Sequence, residues 1–328
     1  MFLKHGDVDK VSEVWSEWRE SIVGTMENTL HSKVLRGAVI SALAMHGRAD
    51  DAEEVFNTRP LSEKTDEIML LSLLTAFSHA GLPDRAISLL NRVEPEQNLS
   101  VRVYTAVIDA CARVGHFDVA LGIVDRMRGR DVIPNDITWM TLLGPCRTHV
   151  NIPVAELAFR ELQKVQDLED QASTFILLAD VYKAAELHDK AEEIQNKRRA
   201  LGLHKKRGAV EVTVKGQQHT FYVGEIPTEL EHLSKAINAK LDDWKRNLSA
   251  CGVSSTSVTC RHSEKLALAF AVISGQKDIT LKKNLRICSV CHCASIALTK
   301  IEGIVIRHLD QSRVHVMSDG MCSCGGRY

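Results

Sequence analysis

Three glycines, Gly47, Gly81 and Gly115, stand 34 residues apart, and an alanine follows each at a distance of five: Ala52, Ala86 and Ala120. A fixed period of this length marks a stacked array of small supersecondary units. The three segments share one skeleton, LRGAVISALAMHGRADDAEEVF, MLLSLLTAFSHAGLPDRAISLL and VYTAVIDACARVGHFDVALGIV. Each reads as a helix, a turn and a second helix. The glycine supplies a left-handed cap, and the alanine lets two helices approach closely. Stacked hairpins of this kind build a right-handed α-solenoid. The phase continues where the markers decay: Val150 falls 35 residues after Gly115, and Glu186, with Ala191 five further on, falls 36 after that. Upstream, Gly6 opens only the second half of a unit, so the pattern predicts a chain that starts inside a repeat of a longer array.

Composition agrees with helices: aromatic residues are only 5% of the chain, too few for the usual β-sandwich or barrel. No apolar run approaches the ~18 residues that a membrane span needs. The opening MFLKHGDVDKVSEVW has neither a secretory apolar region nor the pattern of a transit peptide. The 41 basic and 42 acidic residues nearly balance, yet from Arg207 onward 16 Lys and Arg face 11 Asp and Glu. That asymmetry predicts a mildly basic tail on a mildly acidic body.

Seven of the nine cysteines fall in the last 78 residues: Cys251, Cys260, Cys288, Cys291, Cys293, Cys322 and Cys324. Interleaved with histidine, they read as metal ligands before disulfides. Cys111 and Cys146 lie in apolar helical patterns and read as packing residues. Structural packing is also the expectation for Cys251 and Cys260, with redox sensitivity as the other reading.

From Arg207 the pattern changes. RGAVEVTVKGQQHTFYVG alternates as a β-hairpin about a Lys-Gly turn, and ELEHLSKAINAKLDDWKRNL reads as an amphipathic helix. Further helices and short strands alternate after it, which predicts an α/β domain. His262-Ser263-Glu264 and Cys288-x-x-Cys291 are separated by 23 residues between Glu264 and Cys288. A hydrolytic zinc site wants three protein ligands and an open fourth position for water. His262, Cys288 and Cys291 supply an imidazole and two thiolates, with Glu264 near enough to handle the proton of the water without binding the metal. Such an arrangement suits a zinc deaminase, in which activated water attacks C4 of cytosine while the glutamate serves the leaving amine. The usual signature has proline before the first cysteine; Ile287 stands there. A second cluster, His292, His308, His315, Cys322 and Cys324, has enough donors for a closed structural zinc. The favoured four are His292, His315, Cys322 and Cys324, with His308 left out. Cys293 is expected to be a packing residue rather than a stray ligand.

The repeat segments resemble the pentatricopeptide repeat family. VRVYTAVIDACARVGHFDVALGIVDRMRGRDVIPN, residues 101–135, follows that family's pattern almost throughout, including Tyr104, Gly115, Ala120, Met127 and Pro134. The Trp and Gly-x-x-Tyr of tetratricopeptide repeats are missing. DITWMTLLGPCRTHVNIPVAELAFRELQKV and FILLADVYKAAELHDKAEEIQNKRRALGLHKK resemble the first and second extension motifs, E1 and E2, of plant-type editing factors. CRHSEKLALAFAVI, LRICSVCHCASIALTKI and HVMSDGMCSCG resemble, in order and spacing, the DYW cytidine deaminase domain that terminates those factors.

The resemblance implies repeats over 1–136, the first partial and the others near 33–66, 67–100 and 101–135, the E1/E2 motifs over 137–205 and a deaminase domain over 206–328. It implies that Thr105 and Asn135 read one RNA base, adenine, four nucleotides upstream of the edited position. The pairs Gly37 with Asp66 and Leu71 with Ser100 are poor readers, so their units are expected to space the RNA. It implies a catalytic zinc on His262, Cys288 and Cys291 with Glu264 as proton shuttle, and a structural zinc on His292, His315, Cys322 and Cys324. Single-stranded organellar RNA is the implied partner, with auxiliary editing proteins, no nucleotide cofactor and no membrane, in a mitochondrion or chloroplast. The implied activity is site-specific conversion of cytidine to uridine in RNA. Two alternatives stand beside it: the reverse conversion, and an idle domain on an RNA-binding factor that recruits another deaminase. The reverse conversion draws on departures from the family pattern: Gly326-Arg327-Tyr328 replaces the three terminal residues that name the domain, and Arg207-Gly208 replaces its usual opening Pro-Gly. The idle reading draws on the altered tripeptide and the short array.

Overall fold

Each marker glycine of the 34-residue period sits where a helix stops and the backbone turns left-handed. Gly47, Gly81 and Gly115 have φ of 71°, 67° and 85°. In the later hairpins Val150 (φ 50°) and Glu186 (φ 61°) hold the same left-handed conformation without glycine. A β-branched residue there is strained by about 1–2 kcal/mol, so the phase of the repeat is kept by stacking rather than by local preference.

The computed structural model describes residues 30–58, 66–165, 171–204, 207–250, 262–310 and 314–324, together with Glu13, Ser16 and Glu17. Among the described residues, ten helices are formed over its first part. They are α1 (Leu30–Met45), α2 (Ala49–Asn57), α3 (Glu67–Ala80), α4 (Pro83–Val93), α5 (Val101–Arg113), α6 (Phe117–Arg128), α7 (Asp136–His149), α8 (Ile152–Leu162), α9 (Gln171–Ala184) and α10 (His188–Ala200). The spacing alanines of the second helices, Ala52, Ala86, Ala120, Ala155 and Ala191, are at most 2% exposed. Asp66, Asn135 and Asn151 cap the N-termini of α3, α7 and α8 with their side-chain oxygens. Successive hairpins are also joined by side chains about one repeat apart. Ser41 and Ser72 hydroxyls lie 2.7 Å apart, and those of Thr105 and Thr138 2.8 Å apart. Buried Glu94 accepts from Tyr104 Oη at 2.6 Å and from Arg126 Nε at 3.0 Å, and Arg130 Nη2 approaches it at 3.3 Å. Burial pushes the Glu94 carboxyl up, but these partners outweigh it and the net shift is downward. Gly115 is fixed by space as well as by φ, because a Cβ there would lie 2.8 Å from His149 Nδ1.

These helices form one compact unit, and the elements from Arg207 onward form another. The second unit contains β1 (Ala209–Val214), β2 (Gln217–Tyr222), a 3₁₀ turn (Thr228–Leu233), α11 (Ser234–Ala250), α12 (Ser263–Ile273), β3 (Asp278–Lys283), α13 (Ser289–Glu302), β4 (Val305–Leu309), β5 (Val314–Ser318) and β6 (Met321–Cys322). Lys215 and Gly216, both at positive φ, make the two-residue turn between β1 and β2. The sheet runs β2-β1-β3-β4-β5-β6. All neighbours are antiparallel except β3 and β4, which are parallel and joined through α13. The core includes Val210, Phe221, Trp244, Leu266, Leu281 and Ile306. The helix expected over ELEHLSKAINAKLDDWKRNL starts later than the pattern suggested. Pro227 holds an extended backbone at ψ 142°, and the next six residues form the tighter 3₁₀ turn before α11 begins at Ser234.

Candidate metal centre and base-facing residues

Three of the expected ligands sit at the starts of two helices. His262 is the extended residue before α12, and Cys288 the extended residue before α13, with Cys291 in the first turn of α13. The Cys288 sulfur accepts from the Cys291 backbone N–H at 3.4 Å and so acts as the cap of α13. His262 Nδ1 lies 3.4 Å from Cys288 Sγ and 3.3 Å from Cys291 Sγ. Together with Glu264 these residues offer ligand atoms all within 4.8 Å of one another. The interaction with Cys291, then that with His262, holds the Cys288 thiol at a pKa of about 4 against the opposing effect of burial. A helix N-terminus beside an imidazole favours thiolate, which is the form that binds metal. One nitrogen and two such sulfurs are a donor set that suits zinc.

Glu264 is completely buried in the first turn of α12. Ser263 Oγ donates to its Oε2 at 3.3 Å, and Lys283 at the end of β3 forms an ion pair with its Oε1. Burial raises the carboxyl, yet the Lys283 ammonium more than compensates, and Glu264 ends below its ordinary value.

The second donor set is separate. His292, His315, Cys322 and Cys324 also bring their ligand atoms within 4.8 Å of one another. His292 Nε2 lies 3.3 Å from both Cys322 Sγ and Cys324 Sγ, and His315 Nδ1 lies 3.6 Å from Cys322 Sγ. The thiols divide unequally. Their mutual hydrogen bond, then burial, raises Cys322, while the same bond, against burial and with help from His292, lowers Cys324. Two imidazoles and two sulfurs suit a closed structural zinc. Asp310 lies beside the second set: its Oδ2 is 3.8 Å from His315 Nε2 and accepts from the Ile287 backbone N–H at 3.2 Å. At that distance the Asp310 carboxylate is an electrostatic neighbour of the His315 imidazole rather than a hydrogen-bond partner.

The structure leaves His308 out of both donor sets. It is buried opposite His315 in the β4–β5 register, with Nε2 3.1 Å from Ser295 Oγ. Burial lowers its pKa to about 3, so it stays neutral. Cys293 departs from expectation: it is exposed rather than packed, because on α13 it faces away from the side that Cys291 buries. Cys111 and Cys146 are fully buried, and burial raises their thiols to about 11 and about 12, as inert packing residues require. Cys251, Cys260, Gly6 and Gly326-Arg327-Tyr328 lie outside the described residues.

In the array, Thr105 is 9% exposed on α5, and half-buried Asn135 caps α7 through Oδ1. In the other expected pairs, Gly37 is buried and brings no polar side chain although Asp66 caps α3 as Asn135 caps α7, and Ser100 donates to Glu67 Oε1 at 2.8 Å.

Comparison with known proteins decides the family. A family described as the DYW family of nucleic acid deaminases matches residues 252–328, and pentatricopeptide repeat families match 36–58, 68–94 and 96–148. The chain is a pentatricopeptide repeat protein with a DYW-family deaminase domain. A mitochondrial pentatricopeptide repeat-containing protein of Arabidopsis thaliana is 31% identical over 99% of this chain and 52% of its own length. The chloroplastic pentatricopeptide repeat-containing protein DOT4 of the same plant is 30% identical over 88% of this chain and 34% of its own. The chain thus spans about half the length of the first relative and a third of the second. The crystal structure of the maize pentatricopeptide repeat protein PPR10 superposes with a TM-score of 0.46 at 15% identity, over 89% of this chain and 40% of that one.

Lys283 and Asp310 carried no signal in the sequence. Lys283 stands in a strand flanked by another lysine, where a solvated side chain is the default. Only the fold of β3 against α12 shows its buried partner. Among the described residues no helix is long and apolar enough to cross a membrane.

Proposed function

We propose that this pentatricopeptide repeat protein is an RNA-editing factor that holds single-stranded RNA on its helical array and converts a cytidine to uridine in its DYW domain. The observation that carries the reading is the convergence of His262, Cys288 and Cys291 at two helix N-termini, beside the buried carboxylate of Glu264. A zinc ion held by those three residues would supply Lewis acidity to a water molecule. Glu264, kept ionised by Lys283, accepts a proton from the attacking water and returns it to the departing amine. One C4–O bond forms, one C4–N bond breaks, and water and cytidine become uridine and ammonia. His292, His315, Cys322 and Cys324 would hold a second, structural zinc and so join β5 and β6 to α13.

Thr105 and Asn135 face one RNA base and set the position of the edited cytidine, with adenine preferred four nucleotides upstream. Single-stranded RNA spares the cost of unstacking a duplex base. The relatives named mitochondrial and chloroplastic support an organellar site of action.

The test uses the full chain and an oligoribonucleotide with one cytidine four nucleotides downstream of an adenine. Metal analysis should find two zinc ions per chain, with about one left after Cys288→Ala and about one after Cys322→Ala. Wild-type protein should convert the cytidine, and Glu264→Ala should retain RNA binding and zinc while losing conversion. Conversion that survives Glu264→Ala overturns the mechanism. A zinc-loaded wild type that binds the RNA and never converts it overturns the enzymatic reading in favour of a recruiting factor.

A further inference from the structure

Thr138, fully buried in the first turn of α7, connects the two side chains assigned to base reading. Its backbone N–H donates to Asn135 Oδ1 at 3.0 Å. A backbone N–H only donates, so the atom facing it is the amide oxygen and the amide nitrogen is turned away. The Thr138 hydroxyl donates to the same oxygen at 3.0 Å. That bond uses the one proton of the hydroxyl. In the 2.8 Å pair between Thr105 Oγ1 and Thr138 Oγ1, the donor is therefore Thr105.

We propose that Thr138 is a specificity-positioning residue that sets the hydrogen-bond polarity of this pair. With its proton committed to Thr138, Thr105 offers lone pairs only, and Asn135 offers only its amide N–H groups. The inference rests on the reading of Thr105 and Asn135 as base-facing residues, and it names the class of base they take. An acceptor beside a donor complements an amino group beside a bare ring nitrogen. Adenine presents that edge with N6 and N1, and cytosine with N4 and N3. Guanine and uracil present a carbonyl beside a ring N–H, which sets acceptor against acceptor and donor against donor. The selection is thus for amino-bearing over keto-bearing bases.

An isolated threonine hydroxyl rotates and either donates or accepts, so the relay is what removes the ambiguity. It occurs in this unit alone of the three described. Three residues after Asp66 stands Met69, and three after Ser100 stands Val103, neither of which carries a hydroxyl. The one unit with two hydrogen-bonding readers is also the one with a residue that fixes their direction.

The test measures binding of the full chain to four oligoribonucleotides that differ only at the position read by Thr105 and Asn135, at low salt so that phosphate contacts keep affinity measurable. Wild type should favour adenine and cytosine over guanine and uracil by about tenfold. Thr138→Val removes the hydroxyl and keeps the shape, and it should reduce that ratio to within about twofold, while Thr138→Ser restores it. Asn135→Asp replaces the outward donor with an acceptor, which leaves either class of base one match and one clash, so it too should reduce the ratio to within about twofold even if the valine variant fails to fold. Unchanged discrimination in Thr138→Val, or in Asn135→Asp, overturns the polarity relay. A wild type indifferent to all four bases overturns the underlying base-facing reading, and the relay with it.

Discussion

The helical array and the DYW domain use their polar side chains in opposite ways. In the array one device recurs at intervals of about a repeat: Ser41 reaches Ser72, Glu94 reaches Arg126, and Thr105 reaches Thr138. In the domain each donor is used once, and two four-residue sets gather side chains from distant parts of the chain. Repetition spreads stability over many similar contacts, so removing one contact weakens a neighbour-to-neighbour interface without abolishing the fold. Convergence concentrates consequence in a few buried groups. The contrast between the two regions is therefore one of how damage propagates.

The largest effect belongs to the domain. Lys283→Met strands the buried carboxylate of Glu264, a loss of about 3–5 kcal/mol. Adding Glu264→Gln should recover part of it, and denaturant unfolding of the single and double variants measures the coupling. A loss below ~1 kcal/mol for the single variant would break the contrast.

Gly115→Ala tests the array where it is least forgiving. The left-handed backbone and the clash with His149 together predict a loss of about 2 kcal/mol, seen as a lower urea midpoint with the zinc content of the domain unchanged. Falling zinc content in that variant would show that damage crosses between the regions.

Glu94→Gln removes a buried carboxylate from Arg126, Arg130 and Tyr104, and a loss of about 1–2 kcal/mol at pH 7 is expected. The sign of its pH dependence follows from the downward shift of Glu94. Its folded pKa lies below the unfolded one, so its contribution is complete above the unfolded carboxylate value and disappears as pH falls through the folded value. Unfolding measured at pH 7 and again in acid should show the gap between wild type and Glu94→Gln closing in acid. A constant gap counts against the assignment.

Val150→Gly is the smallest and runs the other way. It relieves the left-handed strain at an exposed site and should stabilise the array by about 0.5–1 kcal/mol, read as a raised Tm. A neutral or destabilising result would mean that the Val150 side chain contributes packing that its exposure conceals.

What was legible in the sequence divides along the same line. Gly47, Gly81 and Gly115 revealed the hairpins because a left-handed turn has few chemical solutions, and the phase survived at Val150 and Glu186 although the residue type did not. His262-x-Glu264 and Cys288-x-x-Cys291 were legible because helix starts impose their spacing. Lys283, Asp310 and Thr138 were not. Each acts through a partner far away in sequence or through the direction of a shared proton, and nothing in local periodicity encodes either. The sheet order was equally hidden, since the parallel pairing of β3 with β4 depends on the crossover through α13 rather than on either strand's own pattern.

The opening of α13 places Cys288 and Cys291 in one donor set and His292, the very next residue, in the other. Adjacent residues on an α-helix project about 100° apart. A one-residue insertion or deletion between positions 288 and 292 would therefore swing one set of donors away from its cluster while the other stayed aimed. This short segment is closed to any change in length, however freely the residue types between its donors are exchanged.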